Sequence, residues 1–288
     1  MSYPQRTLRD GLLYLGGRSD EDDGYLTCKK NLQSVVDTTT DPAKHFIGRR
    51  MQNDVLNPNR HKNFIIERHA GTRYCWIRLR TPAYAALVRS RIPLWDRVCH
   101  LQNRTCCTFV SMLTVFLVKM VFSLMTLNVD SPTFREPVLK AISSRKPTDD
   151  CNDIVDTAQE EIGRLFSSIL SDHQSYPVLL TGAFSMKYQC LLSVLILLAA
   201  KTPVHEIQTL VFSCLHSPVD EISADPENTS VLKDLIDSKH TFVQGIHQHM
   251  NVQHGGIETY LREAGVSPSR MQDFLGAMQI ANEKPGND

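Results

Sequence analysis

Between residues 63 and 80 apolar and polar positions alternate in two β-rich runs, NFIIER and RYCWIRLR, separated by His69-Ala70-Gly71-Thr72. Two such runs joined by a short glycine-containing loop predict a β-hairpin. In the second run Tyr74, Trp76 and Arg78 are expected on one face, and Arg73, Cys75, Ile77 and Leu79 on the other. Upstream, DGYLTC and LQSVVDTTTD have the β-branched look of short strands. Asn57-Pro58-Asn59 marks a turn before the hairpin.

After Arg80 the period lengthens to that of a helix. Thr81-Pro82 is a helix start, with a cap residue followed by proline at the first helical position. From residue 151 onward the chain reads as a succession of helices. DIVDTAQEEIGRLFSSIL is amphipathic, whereas SMKYQCLLSVLILLAA is apolar on all sides and is expected to be buried. Thr202-Pro203, Asp225-Pro226 and Ser267-Pro268 open further helices, and Gly265 closes one. The fold class that follows is mainly α. A basic N-terminal α+β module over 1–145 carries the hairpin at about 63–80, and an all-helical acidic module covers 150–288. The polar, proline-containing stretch SSRKPTDD at 143–150 divides them.

Composition alone hides this division. The chain has 31 basic and 31 acidic side chains, for a formal net charge of zero. Yet residues 44–104 hold thirteen basic against three acidic side chains, a net of +10, and residues 149–288 hold eight against nineteen, a net of −11. Eleven of the thirteen are arginine, whose planar fork suits bidentate contact with phosphate and stacking on bases. Such asymmetry points to a polyanion-binding part joined to an acidic part that meets protein partners. An apolar fraction of 42% and a charged fraction of 22% are those of a globular chain with a real core, which excludes a disordered or fibrous class.

The run 106–127 is 22 residues long and carries one charge, Lys119. That length suffices to span a bilayer. A lysine near the middle costs about 2.5–3.5 kcal/mol on insertion scales, and five hydroxyl-bearing residues add to the cost. A core helix whose lysine reaches water is the expected reading. The opening MSYPQRTLRDG lacks the apolar stretch of a secretory leader. The eight cysteines are therefore expected as reduced thiols in a cytoplasmic protein.

No phosphate-loop, dinucleotide, zinc-protease or nucleophile-elbow motif occurs in the chain, so a non-enzymatic role is expected. His240, His247, His249 and His254 lie close in sequence, as do Cys99, His100, Cys106 and Cys107. Neither group shows regular zinc-ligand spacing, and neither a metal nor another cofactor is expected.

The basic region is the strongest chemical signal. Arg49, Arg50, Arg60, Lys62, Arg68, Arg73, Arg78, Arg80, Arg89 and Arg91 are the candidate phosphate contacts, with Tyr74 and Trp76 as stacking platforms or, equally, core residues. The function expected is binding of nucleic acid, single-stranded RNA above all, by a self-associating structural protein. In this arrangement the chain is similar to the nucleocapsid proteins of RNA viruses, which combine a basic cleft, helical lobes and self-assembly; no residue is carried over from that likeness. Two alternatives share the same charge pattern. One is a matrix-like shell protein on an anionic membrane surface, and the other is a cytosolic helical adaptor whose acidic half meets a protein partner.

Overall fold

The computed structural model describes residues 6–9, 12–16, 32–38, 63–69, 71–91, 146–181, 186–215 and 238–280. The run 106–127, Asn57-Pro58-Asn59 and Asp225-Pro226 lie outside these residues.

Among the described residues six strands form one sheet: β1 (Arg6–Arg9), β2 (Leu13–Gly16), β3 (Ser34–Asp37), β4 (Phe64–His69), β5 (Thr72–Ile77) and β6 (Val178–Thr181). Their spatial order is β1-β2-β6-β3-β5-β4. The four inner strands run parallel, and β1 and β4 close the two edges antiparallel. The expected hairpin is present as β4–β5, in a register that pairs Phe64 with Ile77 and Arg68 with Arg73.

An inner parallel strand is covered on both faces, so it tolerates apolar residues at every position. All four residues of β3 and of β6 are buried, as are Tyr74, Cys75, Trp76 and Ile77 of β5. On the face expected to mix aromatics with arginine, Tyr74 and Trp76 are thus interior, while Arg78 beyond the strand is exposed. Tyr74 and Trp76 pack with Tyr14, Val35 and Leu179, and Leu32 and Ile65 lie against this cluster.

Packing divides the chain into two compact units. One comprises residues 1–81 with 147–288, and the other comprises 82–146. Charge and packing therefore partition the chain differently, because β6 lies beyond the 143–150 linker yet sits between β2 and β3. The described part of the C-terminal half is helix-rich but not all helical, since β6 belongs to it. Of the second unit the structure describes α1 (Pro82–Arg91), which begins at the expected Thr81-Pro82 signal and buries Tyr84 and Val88.

In the first unit the helices are α2 (Pro147–Thr157), α3 (Gln159–Leu165, continued by a π turn over Phe166–Leu170), α4 (Met186–Ala199), α5 (Val204–Leu215), α6 (Lys239–His254), α7 (Ile257–Glu263) and α8 (Pro268–Ile280). Every residue of α4 from Lys187 to Ala199 is buried, as its apolar circumference requires. It packs against β6, α2, α5, α6 and α7. Hydrogen bonds tie the hairpin to the helices, among them Asn63 Nδ2 donating to Glu161 Oε1 at 2.7 Å and Thr81 Oγ1 donating to the Thr157 carbonyl at 3.0 Å. Among the described residues no helix is long and apolar enough to cross a membrane.

The α3–α7 contact depends on a missing side chain. A Cβ on Gly163 would lie 2.1 Å from the Ala264 carbonyl oxygen. Gly163→Ala is therefore expected to lower stability by about 1–3 kcal/mol, the usual range for overpacking. Urea unfolding measures this, and an unchanged midpoint would show that the two helices are not in such close contact.

Candidate anion site at the carboxyl edge of the sheet

Because β2, β6, β3 and β5 are parallel, their carboxyl ends come to one edge. The registers place Gly16, Thr181, Asp37 and Trp76 side by side in a row across it. Just beyond the row, the Thr38 amide donates to the Thr181 carbonyl at 2.9 Å, and the Thr38 hydroxyl reaches the same oxygen at 3.2 Å. Arg78 and Arg80 follow β5 at this edge, and α4 starts five residues after Thr181. Open α/β sheets bind ligands outside the carboxyl ends of their strands, and a helix starting there directs backbone N–H groups and a positive partial charge toward them.

A buried polar network holds this edge together. The Lys187 ammonium is 2.5 Å from a carboxylate oxygen of Asp150, with side chains 11% and 0% exposed. The Tyr188 hydroxyl donates to the same Asp150 oxygen at 3.4 Å and accepts from Nε of Arg80. The Arg80 guanidinium and the Lys187 ammonium each lie 5.2 Å from the centre of the Tyr188 ring, within cation–π range. The end of β5 is thereby fastened to the first turn of α4 and to α2. Arg78 stays exposed, its Nε donating to the Arg80 carbonyl at 3.1 Å. Asp37 is the acidic member of the row, only 2% exposed.

The cysteines nearby do not offer a nucleophile. Burial pushes the Cys75 thiol far up, and Asp37 adds to the effect. Burial also raises Cys151 well above its ordinary value, Asp150 adding to this while Lys187 opposes it. Both stay thiols at neutral pH, and a thiol is the unreactive form.

Among the described residues, those picked from the sequence do not gather at one end of the hairpin. Arg68 and Arg73 sit opposite one another at the amino end of β5, whereas Arg78 and Arg80 leave its carboxyl end. Five residues of strand separate Arg73 from Arg78, roughly 17 Å at the usual rise. Arg73 is also engaged: its guanidinium pairs with the Asp172 carboxylate and donates to Ser175 Oγ at 3.0 Å, leaving 15% of its side chain exposed. Tyr74 and Trp76 are each 5% exposed, so no ring face is open for a base to stack on. The stacking role expected of them is corrected accordingly: both belong to the core. Arg68 and Arg91 are exposed. Arg49, Arg50, Arg60, Lys62 and the side chain of Arg89 lie outside the described residues.

Asp150, Lys187, Tyr188 and Asp172 were not marked by the sequence reading. One local signal does exist for two of them. Lys187 and Tyr188 are polar residues, with Gln189, in the first turn of a helix that is apolar beyond it except for Ser193, just after a run of strand-forming residues. No spacing in the chain joins them to Asp150 or Arg80.

Among the known proteins compared, no family model and no curated protein matches the chain. The chemistry of the carboxyl edge therefore carries the functional reading.

Breaking the buried pair from one side leaves an uncompensated charge. Lys187→Met should destabilise the fold by about 3–5 kcal/mol, and Lys187→Met combined with Asp150→Leu should recover most of the loss. Chemical denaturation of the two variants decides this, since equal losses would mean that the pair is not coupled. A second expectation concerns acid. Partial burial raises the Asp172 carboxyl, but the Gln174 amide and the Arg73 guanidinium outweigh it and hold the carboxyl below its ordinary 3.8. A depressed carboxyl contributes stability above its unfolded value and loses it as pH falls through the folded one. The difference in thermal midpoint between wild type and Asp172→Asn should hold steady at pH above the ordinary carboxylate range and shrink as pH falls below it. A difference that persists in acid would contradict the pairing.

Proposed function

We propose that the chain is a binding protein for a phosphate-bearing ligand, held outside the carboxyl ends of β6, β3 and β5. One observation carries this reading: the parallel strands end at the edge where Arg78 and Arg80 leave β5 and where α4 begins. Arg78, exposed and beside the Arg80 backbone, is the first contact. Arg80 is positioned by the Tyr188 hydroxyl, and that hydroxyl is in turn set by Asp150. Arginine donors preset in this way lose little freedom on meeting a phosphate.

Single-stranded RNA remains the polymeric form of ligand that the basic segment favours, now through its backbone and not through stacked bases. Self-association and the meeting of protein partners by the acidic half rest on the opposite charges of residues 44–104 and 149–288. The role is one of binding, without catalysis.

The test is fluorescence anisotropy with a labelled generic single-stranded RNA over a salt series, competed with a small phosphomonoester. Binding should weaken steeply with salt, and the phosphomonoester should displace the RNA. Arg78→Ala should cost about tenfold in affinity, as expected for a charge-assisted hydrogen bond, while Arg68→Ala should change little. Loss on Arg68→Ala with none on Arg78→Ala would move the ligand to the other end of the hairpin. Absence of binding at low salt would remove the reading.

A further inference from the structure

Away from the sheet edge, three metal-ligating side chains meet where α2 runs past the end of α6. Asp156 lies in the last turn of α2, and His249 and His254 lie in the last two turns of α6. The Nε2 atoms of both histidines point at the same carboxylate oxygen of Asp156, at 2.7 Å and 2.9 Å. The three ligand atoms all lie within 4.8 Å of one another. The helix stops just after His254, where Gly255 takes φ 67° and the Gly256 amide donates back to the Met250 carbonyl at 3.0 Å. That turn brings α7 across the site. The fully buried Tyr260 ring packs edge-on against His254 at 4.9 Å, and its hydroxyl donates to the Val155 carbonyl, next to Asp156, at 2.9 Å. The His249 and His254 rings are themselves in edge contact at 5.7 Å. Both imidazoles are thus oriented by packing on α2, α6 and α7.

We propose that Asp156, His249 and His254 form a binding site for a divalent transition-metal ion of the zinc class. Two imidazole nitrogens and one carboxylate oxygen are a common catalytic-type ligand set. The four histidines as a group have no regular spacing and the sequence carried no expectation of a metal, but His249 and His254 alone, with four residues between them, fall within the range of paired histidine ligands of zinc. Bonds of about 2.0–2.1 Å to a tetrahedral ion set neighbouring ligand atoms about 3.3 Å apart. The present carboxylate–imidazole distances need to open by only about 0.5 Å to reach that spacing, which small side-chain rotations supply. Three protein ligands leave a further position for water. The way in is open: the side chains of His254, His249 and Asp156 are 15%, 17% and 39% exposed. The ion would fasten the end of α2 to the α6–α7 corner, replacing hydrogen bonds from two imidazoles to one oxygen by metal bonds.

The experiment is a titration of the full chain, first stripped with a chelator, with Zn²⁺ alone at near-neutral pH. Calorimetry should show one saturable site per chain, and the thermal midpoint should rise with Zn²⁺ concentration as ligand linkage requires. Asp156→Asn, close to isosteric, should weaken the site at least about tenfold, the lower bound seen even for outer-shell changes. His249→Ala with His254→Ala should abolish it, and His247→Ala should leave it intact, since that ring bonds Asn251 at 3.1 Å instead. A reading independent of variants comes from the wild-type imidazole NMR resonances, where Zn²⁺ should shift those of His249 and His254. Lack of saturable binding, binding that survives the double change, or shifts confined to other histidines would each overturn the site.

Discussion

The structure depends on β6 entering between β2 and β3. An inner strand has a full row of N–H and C=O groups on each side, and a buried row left unmatched is costly. Both rows of β6 are met: Leu13 to Gly16 align with Val178 to Thr181 on one side, and Ser34 to Asp37 on the other. The junctions are sealed by Val178 N–H to the Leu12 carbonyl at 2.8 Å and Ser34 N–H to the Pro177 carbonyl at 3.2 Å. Without this strand, β2 and β3 have no common partner and the sheet falls into two pieces. Burial follows from the same insertion, for Val178, Leu179 and Leu180 have no exposed surface. The helix that follows β6, α4, is carried into the centre of the helical layer.

That insertion also decides what the arginines can do. A basic run that is dense in sequence need not be dense in space, because a strand turns sequence distance into length. Arg73 and Arg78 belong to one short segment, yet they serve opposite ends of β5. At the amino end Arg73 is drawn into the Asp172–Ser175 turn. At the carboxyl end Arg80 is drawn toward Tyr188. The aromatics between them fill the core, because an inner strand has no solvent face to give them.

Both polar constellations, the Arg80–Tyr188–Asp150–Lys187 network and the Asp156–His249–His254 cluster, sit at helix ends. A helix interior of apolar residues has no room for charge, but its first and last turns carry unpaired backbone groups and meet neighbouring elements. In each case α2 supplies the carboxylate: Asp150 from its first half and Asp156 from its last turn. Helix α2 is thus the acidic partner of two separate groups that come from distant parts of the chain.

Local features were legible in the sequence because they rest on neighbouring residues. The hairpin followed from two β-rich runs and Gly71, the burial of α4 from its apolar circumference, and the start of α1 from Thr81-Pro82. The helix-rich character of the C-terminal half followed from its caps, and Ser267 does accept from the Arg270 amide as an N-cap should. The four-residue β6 was hidden, since three apolar residues and a threonine carry no period that separates a strand from part of a helix. Asp156 lies 93 residues from His249, and Arg80 lies 108 from Tyr188. By itself the sequence determined the hairpin, the helix-rich character of the C-terminal half and where the charge is concentrated, because propensity, capping and periodicity act over a few residues. Only the tertiary structure decided which faces of β5 are buried, which arginines share an edge and which histidines share a carboxylate. Those outcomes depend on the order of strands in the sheet and on where helices cross, and neither is encoded in any local spacing.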